Sequence, residues 1–294
     1  ELFFYGTGCI LLGEAAAAET ARWLELIARS DSLRLDTPLF VVRSGEASEL
    51  VTEAGGEESD ITQIMNALMH YAEKSGPARI YTCLDAARSL IENGAALTGA
   101  VREGEDASKD GTLTAELDGY AILGGEGRLM GYIEGEDALG VGLFNGEPGR
   151  AALTLSGGIT AELAGGSVEL DPVWDEAGSI SALELRVSVD AIVLETAPGA
   201  DLSSDEARSA VEDELAQRAG AWIYNILSKS VSLGLDFLGL GQRLERENPE
   251  RWHAMTEPWS GMLPELELTV RAGAKLLNVR EFAGAPDWSG TNGQ

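Results

Sequence analysis

Apolar and polar positions alternate most regularly between Leu183 and Val193. There Leu183, Leu185, Val187, Val189, Ala191 and Val193 interleave with Glu184, Arg186, Ser188 and Asp190. A period of two sends the two sets to opposite faces, so the spacing predicts a half-buried strand. The period then changes. Val211, Leu215, Ala219, Trp222 and Ile226 recur every three or four positions, which marks one helix face wide enough to lie across a sheet. Ser203, with Glu206 three residues later, supplies a capping-box start, and the pattern carries that helix to about Ser232. A shorter helix over 236–247 stops before Asn248-Pro249, because proline disfavours helical geometry in the residue preceding it. A last strand over 265–272 alternates Leu266, Leu268 and Val270 with Glu267, Thr269 and Arg271.

The earlier part of the chain mixes the two periods. Residues 2–13 carry two apolar runs suited to a strand, and a helix is expected from Glu14 to about Arg29, with Ala17, Ala21, Leu24 and Ala28 on one face. Pro38 to Val42 reads as a buried strand, and Ala47 to Val51 as a helical turn before the Gly55-Gly56 break. A second helix, capped by Ser59 or Asp60, presents Ile61, Ile64, Met65, Leu68 and Tyr71 and stops at Gly76-Pro77. A third runs from Asp85 to Glu92 and ends at Asn93-Gly94. Gly104 to Gly111 is charged and glycine-bearing, and reads as a domain junction. It divides the chain into an N-terminal α/β region, 1–112, and a C-terminal α+β domain, 113–294. Beyond it, Leu117–Leu123 and Arg128–Ile133 suggest a hairpin turning through Gly124 to Gly127, with short strands at 151–156 and 167–171. The expected class is multi-domain α+β, with an antiparallel sheet in the C-terminal domain and the long amphipathic helix packed on one face.

Composition narrows the function classes. The chain has 294 residues with 21 Lys and Arg against 49 Asp and Glu, a formal net charge of −28. Such a surface repels nucleic acid and anionic headgroups, and no nucleic-acid partner is expected. The acidic residues are scattered, as on a solvated surface. No apolar stretch approaches the roughly 20 residues that cross a bilayer. Two cysteines, Cys9 and Cys83, are too few for a disulfide scaffold, and Cys83 reads as a buried packing residue. The first residue is Glu1, so any targeting signal would lie upstream of it. Gly6-Thr7-Gly8-Cys9 bears a superficial likeness to a lipoprotein cleavage site, but lacks a basic leader and a long apolar run in front. Cys9 is therefore read as a strand residue.

Chemistry-bearing motifs are sparse. His70 lies within the second expected helix and His253 in a turn-rich segment, neither with a partner at ligand spacing. No G-x-S-x-G elbow and no phosphate-binding P-loop occurs. Gly6-Thr7-Gly8 lacks the third glycine of a dinucleotide fingerprint. Glu103 to Asp106 and Glu134 to Asp137 lack the ligand order of a calcium loop; the first reads as a solvated loop, the second as an acidic helix start. No catalytic, cofactor-binding or metal-ligating residue is assigned, and no cofactor is expected.

Three stretches resemble one known family. Gly119-Tyr120-Ala121-Ile122-Leu123 with Leu129-Met130-Gly131-Tyr132-Ile133, leading into Glu134-Gly135-Glu136, looks like its opening hairpin and acidic helix start. Leu235-Asp236-Phe237-Leu238-Gly239-Leu240-Gly241 is similar to the family segment that follows the long helix. Asn248-Pro249-Glu250-Arg251-Trp252, Trp259 and Leu263-Pro264-Glu265-Leu266 match its two-tryptophan run and the approach to the last strand. In this order and spacing they resemble the Ger(x)C, or GerAC-like, spore germination lipoproteins. The first half agrees more faintly, and Ala272-Gly273-Ala274-Lys275 departs from the family's basic, glycine-ended close.

The resemblance implies a non-enzymatic subunit of a nutrient germinant receptor. It would sit on the outer face of the spore inner membrane, beside integral membrane subunits of the A and B types. Its N-terminal lipid anchor would lie on a segment absent from this chain. Asp236 is expected to cap the short helix, Gly239 and Gly241 to allow the sheet to come close, and Pro249 and Pro264 to shape turns. Trp252 is read as packing, whereas Trp259 stays open between packing and partner contact. Two other classes compete: a secreted or cell-surface protein binding a small ligand or glycan, which needs a concave pocket, and a carboxylate-dependent hydrolase, which needs two carboxylates flanking a cleft.

Overall fold

The computed structural model describes residues 6–53, 61–74, 79–105, 113–197, 202 and 204–277. The start of the first apolar run at Leu2, the Gly55-Gly56 break, the caps Ser59 and Asp60, the Gly76-Pro77 stop, Ser203 and the tail from Gly284 lie outside the described residues.

The first half builds β1 (Ile10–Gly13), α1 (Glu14–Ala17), α2 (Thr20–Ala28), β2 (Leu39–Val42), α3 (Ala47–Glu53), α4 (Ile61–Lys74) and α5 (Cys83–Asn93). It continues with β3 (Ala96–Glu105), β4 (Leu113–Gly124) and β5 (Arg128–Ile133). These strands form one sheet in the order β1-β2-β3-β4-β5, parallel from β1 to β3 and antiparallel from β3 to β5. The helix expected over 14–29 is two helices. The Thr20 hydroxyl donates to the Ala17 carbonyl and the Trp23 indole to that of Ala16, so side chains satisfy the end of α1 and the chain turns. α5 starts two residues earlier than expected because Thr82 and Asp85 form a reciprocal capping box.

Alternation in β2 explains the layers. Leu39 and Val41 join Leu12, Leu24, Ile27 and Cys83 in a core on one face, under α1, α2 and α5. Phe40 and Val42 join Leu50, Met65 and Val101 on the other face, under α3 and α4. β3 was not anticipated, since its residues from Ala96 to Val101 are buried on both faces and show no alternation. The junction expected over 104–111 lies between β3 and β4, with residues 106–112 outside the description. The strands on its two sides pair from Ala96↔Leu123 to Glu105↔Leu113, so the first sheet runs across residue 112.

The rest of the chain forms α6 (Asp137–Phe144), β6 (Ala152–Leu155), β7 (Ile159–Trp174), β8 (Ile180–Thr196) and α7 (Asp205–Leu233). It closes with α8 (Leu240–Glu247), α9 (Pro249–Ala254), α10 (Trp259–Met262) and β9 (Glu267–Leu276). β8 has the expected alternation: Leu183, Leu185, Val187, Val189, Ala191 and Val193 are buried, while Glu184, Arg186 and Ser188 are exposed. α7 turns Val211, Leu215, Ala219, Trp222 and Ile226 into the same core. Its cap is Ser204, whose hydroxyl accepts from the Ala207 N–H.

The second sheet has the order β6-β7-β8-β9. Its first three strands are antiparallel, and β9 lies parallel to β8. Parallel neighbours need a long crossover, and α7 to α10 provide it. The short strand expected at 167–171 belongs to a strand more than twice that length. Gly166 is the place where α6 settles on the sheet: a Cβ there would stand 2.5 Å from Leu143 Cδ1. The helix that fits there is buried over its whole inner length, from Ala138 to Phe144.

Leu215 is fully buried at the centre of this packing, and Leu194 is 46% exposed on β8. Leu215→Ala is expected to lower unfolding free energy by about 2–5 kcal/mol in urea titration, and Leu194→Ala by less than about 1 kcal/mol.

Candidate functional site

The residues singled out between 235 and 266 come together at the C-terminal end of α7. Gly234 ends that helix in the left-handed region, and buried Ser230 donates its hydroxyl to the Leu235 carbonyl, 2.6 Å away. This turns the next residue, Asp236, inward. Its carboxylate is 5% exposed and accepts three N–H bonds: Leu240 at 2.7 Å, Gly241 at 2.8 Å and the Trp259 indole at 2.9 Å. The helix expected from 236 starts at Leu240 with Gly239 at the N-cap position, and the Asp236 carboxylate satisfies two backbone donors that this helix start leaves open.

Gly239, with φ of 71°, supplies the left-handed residue from which α8 begins. Gly241 does not admit the sheet. A Cβ there would lie 2.8 Å from Trp259 Cδ1 and 3.2 Å from the Asp236 carboxylate, so the missing side chain makes room for the indole. Trp259 is half-buried and meets Trp252 with ring centroids 5.6 Å apart. Both rings pack against the main core. Pro249 is the first residue of α9, where its missing N–H costs nothing, and Pro264 lies 3.4 Å from where a Gly234 Cβ would stand.

Burial outweighs those three bonds and holds the Asp236 carboxyl above the ordinary carboxylate range. All its described partners are donors that belong to the fold. The acidic stretch at 134–137 is likewise committed to structure. Glu134 pairs with Arg43 at 2.9 Å, Glu136 accepts from Arg218 and from the Trp222 indole at 3.1 Å, and Asp137 accepts from Asn225 at 3.0 Å. No local window of the chain hints at this latch from the α6 start to α7, because its members lie more than 80 positions apart.

His70 is exposed on α4, and His253 is exposed 3.7 Å from Glu245. Cys9 and Cys83 are free thiols on opposite faces of the first sheet, and burial raises both, Cys83 to about 11. Among the described residues, no group of three or more His, Cys, Asp or Glu is placed to hold a metal ion.

The family model for the C-terminal region of B3/GerAC-like spore germination proteins matches residues 118–279, more than half of the chain. The chain belongs to the GerAC-like spore germination family. The match spans β4 to the end of β9 and contains both the Asp236 cluster and the α6 latch. Spore germination protein KC of Bacillus subtilis (strain 168) is 21% identical to this GerAC-like chain, over 92% of it and 71% of that protein. The crystal structure of the GerBC protein shares the fold with a TM-score of 0.65 at 16% identity, covering 92% of this chain and 79% of that one.

A carboxyl whose folded pKa lies above its unfolded one binds more protons when folded, so its contribution to stability falls as pH rises between the two values. Asp236→Asn should abolish that slope in urea titrations across the acid range. It should also cost about 1–3 kcal/mol near neutrality, because an amide N–H₂ would face an N–H donor. Trp259→Phe, which removes one donor and keeps most of the ring, should cost about 1 kcal/mol in the same assay.

Proposed function

We propose that this chain is the C-type subunit of a spore nutrient germinant receptor and works through protein contacts, without catalysing a reaction. In this reading it is held on the outer face of the spore inner membrane by a lipid on a segment upstream of Glu1. Its partners are integral membrane subunits of the A and B types. Membership of the germination family carries the proposal, and the fold shared with the GerBC protein over nearly the whole chain supports it. No described helix is long and apolar enough to cross a membrane, which fits attachment through a lipid and through partners.

The residues that carry the family likeness also support a role as a scaffold. Asp236, Gly239, Gly241, Pro249, Trp252 and Pro264 shape and close the end of α7 in this reading. Trp259, half-buried beside exposed Glu257, Pro258 and Ser260, is the contact we assign to a membrane subunit.

The test is affinity recovery of the intact, anchored protein from detergent-solubilised spore membranes. Integral membrane subunits are expected to co-purify, and recovery with none of them would remove the reading. Glu257→Arg with Ser260→Arg changes the rim of Trp259 while leaving its bond to Asp236 intact. That double variant is expected to lower co-purification by about tenfold with an unchanged melting temperature.

A further inference from the structure

In a chain with 49 Asp and Glu and only 21 Lys and Arg, a cleft lined by four arginines stands out. The cleft lies between α5, the C-terminal end of α6, β7 and α8, and has a volume of about 510 Å³. Arg79, Arg88, Arg243 and Arg246 line it, with one carboxylate, Asp85. That carboxylate is already engaged, accepting from the Thr82 N–H at 2.9 Å and the Thr82 hydroxyl at 2.7 Å.

The four cations are not equivalent. Arg243 is fixed: it donates to the carbonyls of Phe144 and Val168 and to Glu247 at 3.1 Å, and its guanidinium lies 5.3 Å from the Phe144 ring centroid. Arg79 sits 5.4 Å from the Tyr81 ring centroid and 3.6 Å from Glu147. Arg88 and Arg246 are exposed, and neither has a carboxylate within ion-pair distance among the described residues. Two unpaired guanidinium groups, one on α5 and one on α8, line the same cleft as Arg79 and Arg243. Low-dielectric walls focus the resulting positive potential into the cleft. Burial pushes the Tyr81 phenol up to about 12, so at neutral pH it adds no opposing charge.

We infer that this cleft binds a small soluble anion bearing phosphate or carboxylate groups, with Arg88 and Arg246 closing on it across a floor set by Arg243. Guanidinium forks match those oxygens two at a time, and the volume is in the usual range for small-molecule sites. The inference stands apart from the receptor reading, because it rests only on the cleft and its charges.

Isothermal titration of the chain at low salt with inorganic pyrophosphate, and separately with citrate, tests it. At least one is expected to bind with a dissociation constant of about 1 mM or tighter. Arg88→Ala with Arg246→Ala should weaken that binding by at least about tenfold. Arg22→Ala with Arg128→Ala, which removes two exposed arginines that do not line the cleft and are each paired with a carboxylate, should leave it unchanged. Should the first double variant melt early, Arg246→Gln alone replaces it and must still weaken binding. No heat with either anion up to about 10 mM, equal weakening in both double variants, or binding to phosphatidylglycerol vesicles without binding to either free anion would each overturn the proposal.

Discussion

The second half of the molecule depends on one seam, where the inward side chains of β8 meet the apolar face of α7. A strand with period two and a helix with period 3.6 can share a dry interface only if each keeps its apolar set on one side. Here both sets are buried almost without exception, from Leu183 to Val193 and from Val211 to Ile226. Once that seam is made, α6 has a fixed slot between the two sheets. Its acidic start then finds Arg218 and Trp222 on α7, and the chain leaving α7 must turn where Ser230 and Gly234 place it.

Polar groups finish what the apolar seam begins. A buried carboxylate is costly unless donors surround it, and Asp236 has two backbone N–H groups and an indole. That requirement ties the turn after α7 to the start of α8 and to α10. Changing Asp236, Gly241 or Trp259 alone leaves the other two with an unmet bond or a collision.

How much was legible depended on the range of the interaction. β8, α7 and the hairpin of β4 and β5 follow from local periods and turn chemistry, and the structure has them. β3 was missed because small residues buried on both faces carry no alternation. The split between α1 and α2 was missed because Thr20 and Trp23 compete for backbone carbonyls in a run of alanines that favours helix. The parallel placement of β9, the seat of α6 over Gly166, the ring filling the space at Gly241 and the latch at Glu136 depend on partners far away in the chain. No window along the sequence contains both halves of such a contact. The arginine cleft is the extreme case: Arg79 and Arg88 come from the first half and Arg243 and Arg246 from near the end, and each alone looks like an ordinary surface residue.

The position of β9 has a consequence for how the protein is made. Ala182 on β8 pairs with Glu267, so the strand that completes the second sheet reaches its neighbour only after the whole helical crossover has been synthesised. Non-local closures of this kind are slow, since the chain entropy is lost before the ladder bonds form. During translation the edge of β8 therefore stays uncovered, and an open edge invites pairing with other chains. α7 precedes β9 in the chain and packs on the inner face of β8, so that face can be covered before β9 is available.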